Sequence, residues 1–120
     1  MLTKEERYSK LIAGNLFFIK VLDDIGIKNC YVGYYYLIGI INLLINEDVK
    51  ARTFYKNIYP VVAERFNKSV CTVERDIRTL INKCWNEQIK NVLNCKHLRC
   101  KPTCCKFIIL IKNYILSLIH

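Results

Sequence analysis

A chain of 120 residues suits one folded domain and not two. Apolar residues make up 52% and charged residues 24%, which excludes wholesale disorder, and four Gly and two Pro are too few for a turn-rich β-sandwich or a collagen-like rod. A formal net charge of +9 points to an acidic partner, with nucleic acid and an anionic membrane surface as the two classes.

Thr3 and Glu6 have the spacing of a capping box and open a helical pattern that runs to about Asp24, where Gly26 supplies the stop. A second, very apolar helix is predicted over about 32–45, ended by Asn46-Glu47-Asp48, and a third over about 49–58 with Phe54 and Ile58 on one side. Pro60 fits the first turn of a short helix over 60–66. Asn67-Lys68-Ser69 then breaks the pattern, and Ser69 is a good N-cap for a helix over about 70–87. In that helix Val73, Ile77, Leu80, Ile81 and Cys84 form one apolar stripe, while Thr72, Arg75, Arg78, Thr79 and Asn82 project from the other side. A short helix, a three-residue turn and a longer helix, each apolar inside and polar outside, make the pattern of a helix-turn-helix over about 60–87. Ala63 is small enough for the two helices to approach closely, and Asn67 takes a left-handed turn conformation more readily than most residues. The apolar stretches 31–45 and 107–119 fall short of the roughly 20 residues that cross a bilayer, so both are read as core helices and no membrane partner is expected.

Residues 1–49 sum to a net charge of −1, residues 50–85 to +5 and residues 86–120 to +5. The basic surplus therefore belongs to the helix-turn-helix and the C-terminal segment beyond it. A helix exposed on one face fits the major groove of B-DNA, about 12 Å wide, so double-stranded DNA is the partner this pattern favours. Arg75 and Arg78 can fork onto guanine edges or phosphates, Glu74 can accept from cytosine, and Thr72, Thr79 and Asn82 can bond bases or backbone. The helix start around residues 69–71 can receive a phosphate. Lys68 and Ser69 at the turn, and Lys101 further on, complete the candidate set. The competing reading is that Glu74 and Arg78 simply pair at i, i+4 on a solvated helix.

Seven cysteines with no secretory pattern before them read as reduced thiols of a cytoplasmic protein. Cys95, His97, Cys100, Cys104 and Cys105 crowd within 11 residues. Thiolates and an imidazole can complete a tetrahedral zinc shell, but the spacing fits no familiar knuckle. The interleaved Lys96, Arg99 and Lys101 would favour redox-sensitive thiols instead, and a purely structural role outweighs both. No metal or cofactor is expected. Cys30, Cys71 and Cys84 read as core or near-core thiols. Without a Gly-rich phosphate loop, and with nothing to orient a Cys–His dyad, the chain does not read as an enzyme.

Ile58-Tyr59-Pro60-Val61-Val62-Ala63-Glu64-Arg65-Phe66-Asn67 and Val73-Glu74-Arg75-Asp76-Ile77-Arg78 resemble the helix-turn-helix of the C-terminal effector domain in the stage zero sporulation protein A family. Trp85 falls where that family has a Trp. Ile25-Gly26 and Gly33-Tyr34-Tyr35-Tyr36-Leu37 resemble its first two helices, and Lys101-Pro102-Thr103 with Phe107-Ile108 the start of its last. The resemblance covers about residues 16–118. It implies an all-α, compact bundle of about six helices in a single domain over 1–120, with a basic cysteine-rich loop over 94–105 and a C-terminal helix over 103–119. It also implies a transcription regulator of sporulation type that acts on short, partly repeated sites, with Glu74, Arg75 and Arg78 as DNA contacts and two copies on tandem sites. Thr72 stands where the family has an Arg, Asp76 where it has a small residue, and Lys106 where it has an acid. The chain length leaves no room for the family's phospho-acceptor receiver, so a stand-alone effector is expected. The alternative is an interaction module that modulates a full-length relative through the first helix and the apolar tail 108–119.

Overall fold

The computed structural model describes residues 15–47 and 57–119. The Thr3–Glu6 capping box and the helix expected over 49–58, Phe54 included, lie outside the described residues, apart from exposed Asn57 and fully buried Ile58. The described residues form six helices and no strand: α1 (Leu16–Ile25), α2 (Gly33–Ile45), α3 (Tyr59–Phe66), α4 (Val70–Cys84), α5 (Glu87–Val92) and α6 (Cys104–Ile119). The all-α bundle of about six helices is thus the observed fold.

Ten of the thirteen residues of α2 are buried, because a segment this apolar has no solvent face to offer and must lie at the centre of the bundle. It packs against α1, α3, α4 and α6. Tyr36 of α2 meets Phe66 of α3 edge to face at 5.0 Å, and Tyr34 ties α2 to α1 by donating its hydroxyl to Asp23 Oδ1 at 3.0 Å. The tail from Cys104 buries Phe107, Ile108, Ile111 and Ile115, a stripe at i, i+1, i+4 and i+8, against α2 and α4. No helix of the described residues is long and apolar enough to cross a membrane.

Three helices end in the same way. Gly26 after α1 (φ +96°), Asn67 after α3 (φ 55°) and Asn94 beyond α5 (φ 57°) are left-handed. Behind each, paired backbone bonds close the helix end: Ile27 N–H to Leu22 O at 2.9 Å, Lys68 N–H to Ala63 O at 2.8 Å and Cys95 N–H to Lys90 O at 2.8 Å. These bonds satisfy carbonyls that a helix end would otherwise leave open, and Gly and Asn tolerate the conformation they require.

Burial also gives the fold an alkaline limit. Tyr34 is pushed well above the ordinary tyrosine range by burial, then by its bond to Asp23 and that carboxylate's charge. Burial likewise raises the thiols of Cys95 and Cys104, against the lowering pull of Lys106 and Lys90 on the first and of Arg78 on the second. Each folded-state pKa lies above its unfolded value, so the stabilisation is complete below about pH 8.5 for the thiols and about pH 10 for the tyrosine, and is lost as pH rises through the folded values. The urea midpoint should therefore hold up to about pH 8 and fall above it, and Tyr34→Phe should flatten the limb above about pH 10. A midpoint unchanged between those limits, or an identical limb in the variant, would refute this account.

Candidate functional site

The helix-turn-helix is α3, the turn Asn67–Ser69 and α4. Pro60 lies in the first turn of α3, and Tyr59, Val62 and buried Ala63 face inward against the bundle. The Ser69 hydroxyl accepts from Thr72 N–H at 3.1 Å, and this N-cap starts α4 where the sequence places it. Val73, Ile77, Leu80, Ile81 and Cys84 are all buried, so the apolar stripe of α4 is its core face.

The predicted C-terminal end of this helix needs correction. It stops at Cys84 and not at residue 87, because Trp85 turns to extended backbone (φ −64°, ψ 123°) and packs its ring on Phe107 at 6.2 Å. Asn86 then caps α5, its Oδ1 accepting from Ile89 N–H at 2.9 Å. Neither Gly nor Pro announces this break. The signal available was Asn86 itself, an N-cap type followed by Glu87 in the first turn.

The outward face of α4 carries Arg75, Arg78, Thr79, Asn82 and Lys83, all exposed. Arg78 Nη2 lies 2.6 Å from Glu74 Oε1, and Arg75 Nε lies 3.6 Å from Asp76 Oδ1. The i, i+4 pairing that competes with DNA contact is therefore present in the free chain. At this exposure such a pair is worth about 0–1 kcal/mol, so it orients Arg78 without locking it away from a stronger acceptor. The two threonines are more committed. Thr72 is half-buried and accepts from the Ser69 hydroxyl at 2.8 Å, while the Thr79 hydroxyl donates to Arg75 O at 3.1 Å. Lys68 and Ser69 are exposed at the turn.

Lys101 arrives from outside the motif. Its Nζ donates to Asn82 O at 3.3 Å, so the loop 94–103 is drawn against the C-terminal half of α4. Between them lies a cleft of about 380 Å³ lined by Glu74, Arg78, Asn82, Lys101, Thr103 and the Cys104–Cys105 pair, among others. The Cys104 thiol donates to Glu74 O at 3.7 Å, and Cys105 Sγ lies 3.7 Å from the Tyr59 hydroxyl, so the start of α6 touches both α3 and α4. Thr103 caps α6 through Lys106 N–H at 3.2 Å, which places the helix start at Cys104 and the end of the loop at 103.

The cysteine cluster is dispersed. Cys95 and Cys104 are buried, His97 and Cys100 are exposed, and among the described residues no three His, Cys, Asp or Glu side chains gather closely enough to hold a metal ion. The raised thiols of Cys95 and Cys104 also run against the redox reading at those two positions. Cys30 and Cys71, read from sequence as near-core, are exposed, since Cys71 sits on the outward side of the first turn of α4 and Cys30 in the loop before α2; only Cys84 of that group is buried.

Residues 18–115 match the family model described as sporulation initiation factor Spo0A C terminal. The chain belongs to this family. The match spans all six helices of the Spo0A C-terminal bundle, from within α1 to within α6. The helical bundle and the family together are consistent with a DNA-binding effector domain. At the motif, the Thr72 hydroxyl accepts from Ser69 beside the helix cap and Asp76 is paired with Arg75.

Proposed function

We propose that this Spo0A C-terminal family member is a sequence-preferring DNA-binding transcription regulator, with α4 in the major groove. The observation that carries the reading is an α4 anchored by a buried stripe on one side and presenting Arg75 and Arg78 to solvent on the other. Arg75, Arg78 and Glu74 are the base-reading candidates, since guanidinium donors and a carboxylate acceptor suit adjacent guanine and cytosine edges. The exposed Asn82 side chain can reach base or backbone, while Lys68, Ser69 and Lys101 suit phosphates. Thr79 is better placed to hold the helix than to donate to bases, because its hydroxyl proton goes to Arg75 O, whereas Thr72 accepts from Ser69 and keeps its own hydroxyl proton for a base or phosphate. Two copies on tandem sites remain part of this reading.

Selection of duplexes from a randomised pool, followed by anisotropy titration at several salt concentrations, tests it. A recurrent site bound with a log–log salt slope of several units is expected. The absence of any selected site, with no salt-dependent duplex binding, would sink the reading. A tight complex with a full-length relative in place of DNA binding would favour the interaction module, for which Leu16, Phe17, Leu118 and Ile119 supply exposed apolar surface at 48–65% accessibility.

A further inference from the structure

The loop 94–103 is basic without compensation. Lys96, Arg99 and Lys101 are all exposed, none has a carboxylate partner among the described residues, and no acidic residue occurs anywhere from 88 to 120. A loop of this composition would ordinarily swing free and hold its charges at no particular place. Here it is pinned at both ends and in the middle.

At its start, Asn94 closes the end of α5 in a left-handed conformation, and buried Cys95 anchors the chain with its thiol donating to Leu93 O at 3.4 Å. In the middle, Leu98 N–H donates to Cys95 O at 3.0 Å, and its half-buried side chain packs against the core. At its end, Lys101 bonds the Asn82 carbonyl and Thr103 caps α6. Lys101 thereby lies beside the exposed face of α4, lining one cleft with Arg78, and Lys96 and Arg99 are carried on the same tethered loop, five and two residues before it. Fixed positive charge next to a groove-reading helix is complementary to the phosphates that border the groove, which lie beside whatever element fills it.

We infer that Lys96, Arg99 and Lys101 form a phosphate-binding wing, which grips the sugar–phosphate strand bordering the major groove that α4 occupies and carries affinity and register but no base preference. The inference rests on the reading of α4 as the groove helix. Its partner is the DNA backbone alone. The wing thus divides the labour of the surface: α4 discriminates, and the loop holds.

The test compares the full chain with Lys96→Ala/Arg99→Ala/Lys101→Ala, using a labelled duplex selected by the wild type and a scrambled duplex of equal length. Each lost phosphate contact on B-DNA should reduce the salt slope by about 0.9, so the triple variant should lose about 2–3 units on both duplexes. The ratio of affinities for selected over scrambled duplex should stay within about twofold of wild type if the wing makes backbone contacts only. Lys96→Ala/Arg99→Ala keeps the Lys101–Asn82 bond and should lose about 2 units, which preserves the test if the triple variant melts early. Lys20→Ala on α1 serves as the control cation and should leave the slope unchanged. Equal slopes for wild type and both loop variants would overturn the wing, as would a lost preference for the selected duplex. If the wild type binds neither duplex, the failure is that of the α4 reading itself.

Discussion

Gly33→Ala is expected to lower stability by about 1–3 kcal/mol, a fall in melting temperature on the order of 5–10 °C. A Cβ at this position would land on the backbone carbonyl of Asp76, with Ile77 Cα 3.1 Å away. The obstacle is main chain in the middle of a helix, which cannot turn aside as a long side chain would. Helix α2 therefore meets α4 by close backbone approach at its first residue, and any side chain there must push the two helices apart. Gly39 of the same helix is the internal comparison. A Cβ there would meet Phe66 Cε2 at 3.6 Å and Val62 methyls at 4.0 Å, which is ordinary contact. Gly39→Ala should be neutral or gain about 0.5–1 kcal/mol, because alanine loses less backbone freedom in a helix interior. Thermal and urea unfolding of the two variants decide the matter. Equal stability of Gly33→Ala and wild type would mean that the helices do not approach as described.

Arg75→Ala is expected to weaken binding to the selected duplex by about 1–3 kcal/mol, roughly 5- to 150-fold, and to relax preference at one base pair. The side chain is 68% exposed, and its contact with Asp76 is long, so little holds the guanidinium in the free chain. Arg78 differs because it is paired with Glu74 at 2.6 Å. Removing Arg78 frees a half-buried carboxylate on the DNA face, so Arg78→Ala should cost affinity through both the lost donor and the unpaired acid. Competition titrations against single-base variants of the site measure both quantities. An Arg75→Ala chain with unchanged affinity and unchanged preference would remove Arg75 from the base-reading set. Together with the loop variants, these titrations separate discrimination from grip.

Much of the helix-turn-helix was legible because its signals are local. A left-handed residue at Gly26 or Asn67, a Ser69 hydroxyl facing Thr72 N–H, and a stripe from Val73 to Cys84 each depend on neighbours within a few residues. The break at Trp85 was not legible in the same way. Its cause is a long-range ring contact with Phe107 together with a cap from Asn86, and the apolar periodicity of α4 runs to the break without warning. The exposure of Cys71 was missed for a related reason: a thiol near an apolar stripe looks buried in composition, but its place around the helix puts it outside.

Sequence alone was enough to show that the chain is helical, that α1 stops at Gly26 and α3 at Asn67, that α4 starts after Ser69, which face of α4 is buried and that the basic surplus lies after residue 49. These properties arise from backbone preference, side-chain periodicity and charge, which act over a turn or two of chain. Only in the folded chain does Gly33 become a contact point with Asp76, and does the loop bearing Lys96, Arg99 and Lys101 come against α4 through the bond from Lys101 to Asn82, 19 residues away. Those are distances between segments far apart in the chain, set by how the buried faces fit together. They turn a scattered positive charge into a surface with two parts.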